Sequence, residues 1–228
     1  SYIPYTPNSL GFAYRTWQSR SWNIETVDSS AVGYTSLAFN PISKTPAIAY
    51  LSAGSVASGN TAPTYSLAYA QYNSVTGAWD IVDVDTSGAA GAHASLEFDG
   101  NGYPGIAHYD TDNEDLKYTY YDGISWTSDT VVSYGSVGSF SSLAFNANSR
   151  GYYPSIAYYD DTTHTLRLAT YDNRKFRWSL ETVDTNGYGS LAFIPWNGPT
   201  IAFYHTVRQS IMFASYDGNS WDSQTISG

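Results

Sequence analysis

The chain has 228 residues, with 10 Lys and Arg against 20 Asp and Glu, a formal net charge of −10, and no cysteine. So few cations, forming no basic stripe, cannot displace the counterions of nucleic acid, and an acidic surface is repelled by anionic membranes. The missing thiols rule out a disulfide framework or a thiolate metal site, and a hydrophobic fraction of 42% is too high for a disordered chain.

No apolar run reaches the length of a membrane span, so membrane insertion is not expected. No signal-peptide pattern is visible, and Ser1 in place of an initiator Met points to processing or to a trimmed chain. Aromatic residues make up 17% of the chain, 22 of them Tyr. That density favours half-buried pleated surfaces over helices.

Taken in chain order, the sequence is a repeat. Residues 1–28 hold a partial copy, with Ile3-Pro4-Tyr5, then Leu10 to Ala13, then Trp22 and Val27. The first full copy, 35–84, opens on Ser36-Leu37-Ala38-Phe39-Asn40 and continues through Pro46 to Ala49 with Tyr50. It then runs through Leu67, Tyr69, Ala70 and Tyr72 to Trp79 and Val84, and its Ser52 to Pro63 insertion reads as an exposed loop.

The second copy, 94–131, has Ser95-Leu96-Glu97-Phe98-Asp99, Pro104 to Ala107 with His108, Leu116, Tyr118, Thr119 and Tyr121, then Trp126 and Val131. The third, 141–183, has Ser142-Leu143-Ala144-Phe145-Asn146, Pro154 to Ala157 with Tyr158, Leu166, Leu168, Ala169 and Tyr171, then Trp178 and Val183. The fourth, 189–226, has Ser190-Leu191-Ala192-Phe193-Ile194, Pro199 to Ala202 with Phe203, Ile211, Phe213, Ala214 and Tyr216, then Trp221 and Ile226.

Each segment is short, aromatic or β-branched, and bounded by Gly, Asn, Asp, Ser or Pro, which is a strand signature. The repeated Trp residues lie 57, 47, 52 and 43 residues apart, a four-stranded propeller period that no helical repeat matches. The Trp and the Val or Ile five residues later differ by an odd number, so they point to opposite faces of their strand. Both faces are apolar, so each sheet must be covered on both sides by like neighbours. The small Ala or Thr of the third strand lets a neighbour's aromatic ring approach.

The fold class expected is all-β, a single β-propeller over 1–228 with five blades of four antiparallel strands. The segments supply nineteen of the twenty strands such a ring needs. The innermost strand of the first blade is missing, which leaves three explanations: a cut from a longer chain, self-association in which another molecule donates the strand, or a tolerated gap.

The hairpins Tyr121-Asp122-Gly123-Ile124-Ser125-Trp126 and Tyr216-Asp217-Gly218-Asn219-Ser220-Trp221, the latter preceded by Ser215, resemble the Asp-box of sialidase-type propellers, one residue shorter. In that family the box is structural, so the resemblance implies that Asp122 and Asp217 form turns, as Asp-Gly hairpin chemistry also requires. The family clamps a sugar carboxylate with converging Arg residues. Arg15, Arg20, Arg150, Arg167, Arg174, Arg177 and Arg208 share no inner-strand column, so sialidase chemistry is not expected. In size, Tyr/Trp richness and near-identical blades the chain resembles small lectin propellers, without a named lectin signature.

Glu97 and Asp99 replace the Ala and Asn of other inner strands. They read either as a proton donor or cation ligand at the axis, or as two solvated channel carboxylates, and the second reading is preferred. The turn Asp110-Thr111-Asp112-Asn113-Glu114-Asp115 spaces oxygens like a Ca²⁺ loop at Asp110, Asp112 and Glu114. It lacks further ligands and the glycine, so a hydrated hairpin tip is preferred, and no other cofactor or metal is implied. His93, His108, His164 and His205 have no zinc spacing, and His108 reads as a half-buried core residue.

Aromatics outside the repeat columns are the binding candidates: Trp17, Trp196 and Tyr152, with Asp110, Asp160 and His205 beside them at strand ends. Exposed rings beside polar groups suit stacking on a sugar face, although a turn aromatic can equally fold over a blade edge. The expected function is a non-catalytic recognition module, carbohydrate-binding and lectin-like, with a glycan or protein ligand and a secreted or cell-surface location. The alternatives are an adhesion or scaffolding domain of a larger surface protein, and a glycosidase-like enzyme with a channel-mouth acid site. Fold alone does not choose among them.

Overall fold

The computed structural model describes residues 9–18, 21–54, 64–148, 151–194 and 198–227, all of whose regular structure is β. The Ile3-Pro4-Tyr5 segment, most of the Ser52 to Pro63 insertion, Arg20, Arg150 and Trp196 lie outside the described residues. Five antiparallel sheets follow one another along the chain. A partial blade pairs β1 (Leu10–Tyr14) with β2 (Asn23–Asp28). Blade I is β3 (Ala31–Phe39), β4 (Pro46–Ala53), β5 (Tyr65–Asn73) and β6 (Ala78–Asp85). Blade II is β7 (Ala90–Phe98), β8 (Pro104–Asp110), β9 (Asp115–Tyr121) and β10 (Trp126–Val132). Blade III is β11 (Val137–Asn148), β12 (Gly151–Asp160), β13 (Thr165–Asp172) and β14 (Arg177–Thr185). Blade IV is β15 (Gly187–Ile194), β16 (Gly198–His205), β17 (Ser210–Tyr216) and β18 (Trp221–Ser227). Within each blade the strands lie side by side in chain order, the arrangement of a β-propeller.

The two-faced packing inferred from the Trp and Val columns is what joins the blades. Trp79 packs with the partial blade, beside Leu10, Phe12 and Val27, whereas Val84 of the same strand packs with blade II beside Leu96 and Phe98. Trp126 and Val131 divide in the same way between the blade I and blade III contacts, and Trp178 and Val183 between blades II and IV. The small third-strand residue makes room for a ring: Ala70 shares a cluster with Phe12, and Ala169 with Tyr118. This is burial of apolar area on both sides of each sheet, the main favourable term in folding.

The inner strands β3, β7, β11 and β15 carry a second joint. The Ser of each of the first three Ser-Leu motifs accepts a hydrogen bond from the backbone N–H of the Leu in the next blade: Leu96 to Ser36 at 2.9 Å, Leu143 to Ser95 at 2.9 Å, and Leu191 to Ser142 at 3.0 Å. The repeated Ser is thus an inter-blade pin that satisfies an inner-strand amide.

Where the described residues place no neighbouring strand, the columns are bare. Leu37 is 52% exposed, against 4% for Leu96. On the far side of blade IV, Ile226 is 61% exposed, against 8% for Val183 one blade earlier. Among the described residues, buried apolar clusters join the partial blade to I, I to II, II to III and III to IV, and none joins IV to the partial blade.

His108 is fully buried rather than half-buried. It donates to or accepts from Thr119 Oγ1 at 2.9 Å and lies 3.6 Å from Asp85, which also binds Lys117 at 2.6 Å and Ser128 at 2.6 Å. The other blades place Tyr50, Tyr158 and Phe203 in that column, and Tyr50 donates to Asp28 at 2.6 Å in the corresponding geometry.

Candidate functional site

Five turns of two kinds are closed by side-chain oxygens or a ring nitrogen. Asp110 accepts from the backbone N–H of Asp112 and Asn113, and Asp160 from that of Thr163. His205 Nδ1 accepts from that of Arg208 at 3.2 Å, which puts the ring proton on Nε2. All three are buried, so this column of candidates caps the turn between second and third strands and is withdrawn from solvent. Asp122 accepts from Ile124 and Ser125, and Asp217 from Asn219 and Ser220, as turn residues. Asp110, Asp112 and Glu114 do not converge: among the described residues no three acid or His side chains gather to hold a metal ion.

Trp17 stands fully exposed in its turn, apart from the other candidates. Glu97 and Asp99 border a hollow of about 430 Å³ at one end of the inner strands, with Leu143 and Leu191 on its far side. Glu97 is reachable by solvent, yet the crowding strands strip enough water to push its carboxyl up from the ordinary value. The Asp99 carboxylate turns back to accept from the backbone N–H groups of Asn101 and Tyr103. At the opposite end Tyr34, His93 and Phe140 occupy one repeat position, each with positive φ near 50°, which is costly for a bulky residue. With Tyr188 they form a collar of successive ring contacts at 4.5, 4.9 and 4.4 Å.

The most completely built cavity lies between blades II and III. It has a volume of about 310 Å³ and gathers Tyr103, Tyr118, Tyr120, Tyr121, Tyr152, Tyr153 and Tyr171 with Trp178, Asp99, Asp122 and Asp129. Three departures from the repeat create it. Gly105 stands where the other blades have Ala47, Ser155 and Thr200, and a Cβ there would meet the Tyr118 hydroxyl at 2.6 Å and Phe145 at 3.0 Å. Tyr120 stands where the others have Gln71, Thr170 and Ser215, and stacks on Tyr118 with ring centroids 5.3 Å apart and planes 16° apart.

The third departure is Asp129. In the same column blade I has Val82, which cannot accept, while Glu25 accepts from Trp79 Nε1 at 2.8 Å, and Glu181 from Trp221 Nε1 at 3.2 Å, each closing the joint between two blades. Asp129 is one methylene shorter. Among the described residues neither its carboxylate nor Trp178 Nε1 has a hydrogen bond, and both face the cleft.

Tyr152, an expected binding residue, forms the rim by crossing from blade III over the blade II turn. It can do so because a Cβ on Gly100 would fall inside its ring. Burial pushes the Tyr118 hydroxyl up, and burial followed by the nearby Asp129 charge does the same to Tyr120. Both phenols therefore stay protonated at neutral pH and remain able to donate. The structure brings Tyr152 and Asp99 together in this cleft. Sequence reasoning missed Tyr120, Asp129, Trp178 and Gly105, because Gly105, Tyr120 and Asp129 stand in columns whose residue differs from blade to blade.

No family model matches the chain, and no curated protein sequence matches it. Solved structures do. A mutant of AofleA from Arthrobotrys oligospora superposes with a TM-score of 0.61 at 17% identity, over 96% of this chain, which spans 64% of that protein's length. A glycosyl hydrolase from Bacteroides ovatus gives 0.52 at 11% identity, over 89% of this chain and 73% of that one. A fucose lectin from Kordia zhangzhouensis, solved with methyl-fucoside, covers 85% of this chain and 99% of its own at 14% identity, with a TM-score of only 0.36, too low to bear on fold or ligand. The first two establish a shared fold and leave the ligand to the site itself.

Proposed function

We propose that the chain is a non-catalytic recognition module that binds carbohydrate in the cleft between blades II and III. The observation that carries this reading is the stacked pair Tyr118 and Tyr120 beside an indole N–H and a carboxylate that, among the described residues, have no hydrogen-bond partner. A sugar presents a C–H face for the rings and hydroxyls for the indole and carboxylate, so one ligand satisfies both kinds of surface. A wall of aromatic side chains with two rotatable bonds each also loses little conformational entropy on binding. An extracellular or surface location fits such a role.

A glycan array probed with the intact chain tests the reading. Specific signal is expected, falling at least tenfold in Tyr120→Ser, which installs a residue already found at this position in blade IV. A silent array, or signal unchanged by that substitution, removes the cleft as the binding site.

A further inference from the structure

The charge on the cleft walls goes further than its shape. Asp99, Asp122 and Asp129 all border it, and among the described residues no Lys, Arg or His does. Two of the three carboxylates are engaged in their own turns: Asp99 and Asp122 each give one oxygen to two backbone N–H groups, and the other Asp99 oxygen accepts from the Asn101 side-chain amide. Neither meets a cationic side chain, and Asp129 has no hydrogen bond among the described residues. The described salt bridges place Lys117 on Asp85, Arg167 on Asp160 and Lys175 on Asp172, all outside this cavity.

The aromatic lining has the same electrical sense. Ring faces carry negative potential and attract a cation that comes to rest over them. An acidic ligand would meet three like charges on a chain of net charge −10, and a neutral one would cover Asp129 without balancing it. The indole N–H of Trp178 remains free to donate to an oxygen, which a bare ammonium ion does not offer. One molecule that answers both is a sugar with a protonated amine.

We infer that the cleft selects amino sugars bearing a free ammonium group over their N-acetylated and hydroxyl counterparts. The ammonium sits between Asp129 and the Tyr118–Tyr120 stack, and sugar oxygens take the Trp178 N–H. This inference rests on the carbohydrate reading above.

The test is isothermal titration of the intact chain at pH 6 and low salt with three short oligosaccharides: a glucosamine trimer, its fully N-acetylated form, and a glucose trimer. The glucosamine trimer is expected to bind at least tenfold more tightly than either other, and to lose most of that margin in 0.5 M salt, where charge attraction is screened. Asp129→Asn is expected to abolish the preference, whereas Glu181→Gln, which removes an equal charge at the neighbouring joint, keeps it. Diffuse attraction of a cationic sugar to an acidic protein would instead respond equally to both substitutions and survive Tyr120→Ser, and that outcome overturns the inference. Equal affinity for all three trimers, or preference for a neutral one, also overturns it and leaves the carbohydrate reading standing. No binding of any trimer, together with a silent array, sinks both. Thermal melts of each variant confirm that it is folded.

Discussion

Two joints of the same propeller are built from the same columns and end differently. Between blades III and IV, Trp221 reaches Glu181, and Ser155 occupies the second-strand position. Between blades II and III, Trp178 faces Asp129 without a bond, and the two flanking columns hold Gly105 and Tyr120. The difference is one methylene, one missing side chain and one added ring. It teaches that a repeat protein can open a cleft by leaving a closure used at other joints undone, and that cleft is the one proposed to bind.

The strongest way to break the comparison is to give the open joint the residue of the closed one. Gly105→Ser puts a side chain against the Tyr118 hydroxyl and Phe145. Ligand affinity is expected to fall at least a hundredfold, with a loss of about 1–3 kcal/mol in stability from overpacking. Retained affinity, measured by titration alongside urea unfolding, would falsify the placement of the ligand.

Acid separates the joints in another way. Between blades I and II, burial drives the His108 pKa down to about 4, offset in part by Asp85. Between blades II and III the column holds Tyr158 and Val132 in place of His108 and Asp85, and the buried Tyr158 hydroxyl has no hydrogen-bond partner among the described residues. The unfolded chain takes up the His108 proton near pH 6.5 and the folded chain does so only near 4. Stability is therefore level above 6.5 and falls through that window by about 3 kcal/mol. Burial raises Asp85, but hydrogen bonds from Lys117, Ser128 and Ser87 outweigh it and hold the carboxyl down to about 2, so a further loss follows below the ordinary Asp value of 3.8. Urea unfolding at pH 7.5, 5.5 and 4 is expected to show the first limb in the native chain and not in His108→Tyr, which installs the blade I residue. An unchanged limb in that variant would assign the effect elsewhere.

The mildest change sharpens the comparison. Asp129→Glu restores the missing methylene and is expected to close the joint with a Trp178–Glu bond like those of Trp79 and Trp221. About 1 kcal/mol of added stability and a roughly tenfold weaker ligand interaction should appear together. Weaker binding without added stability would show that the bond had not formed.

The fold was legible because its duties repeat. A Trp must fill each joint, a Ser must hold each following amide, and a Leu must be covered by the blade before it, so the same letters return at each copy. The candidate site was only partly legible for the opposite reason. Tyr152 stood out as an aromatic in a turn, but Gly105, Tyr120 and Asp129 each occupy an ordinary-looking strand position. Their meeting depends on two sheets facing one another, which no single copy contains. Asp110, Asp160 and His205 drew attention as a polar column at strand ends, and that regularity reflects the shared need to cap a turn.

The hydroxyl joints between inner strands have a consequence for how such a molecule changes over time. Neighbouring sheets share no continuous ladder there, only a serine oxygen, one amide and a greasy contact. A unit that brings those three features can be duplicated, exchanged or lost while the units beyond its immediate neighbours keep their own fit. Selectivity at one joint is then free to drift without disturbing the rest of the arc.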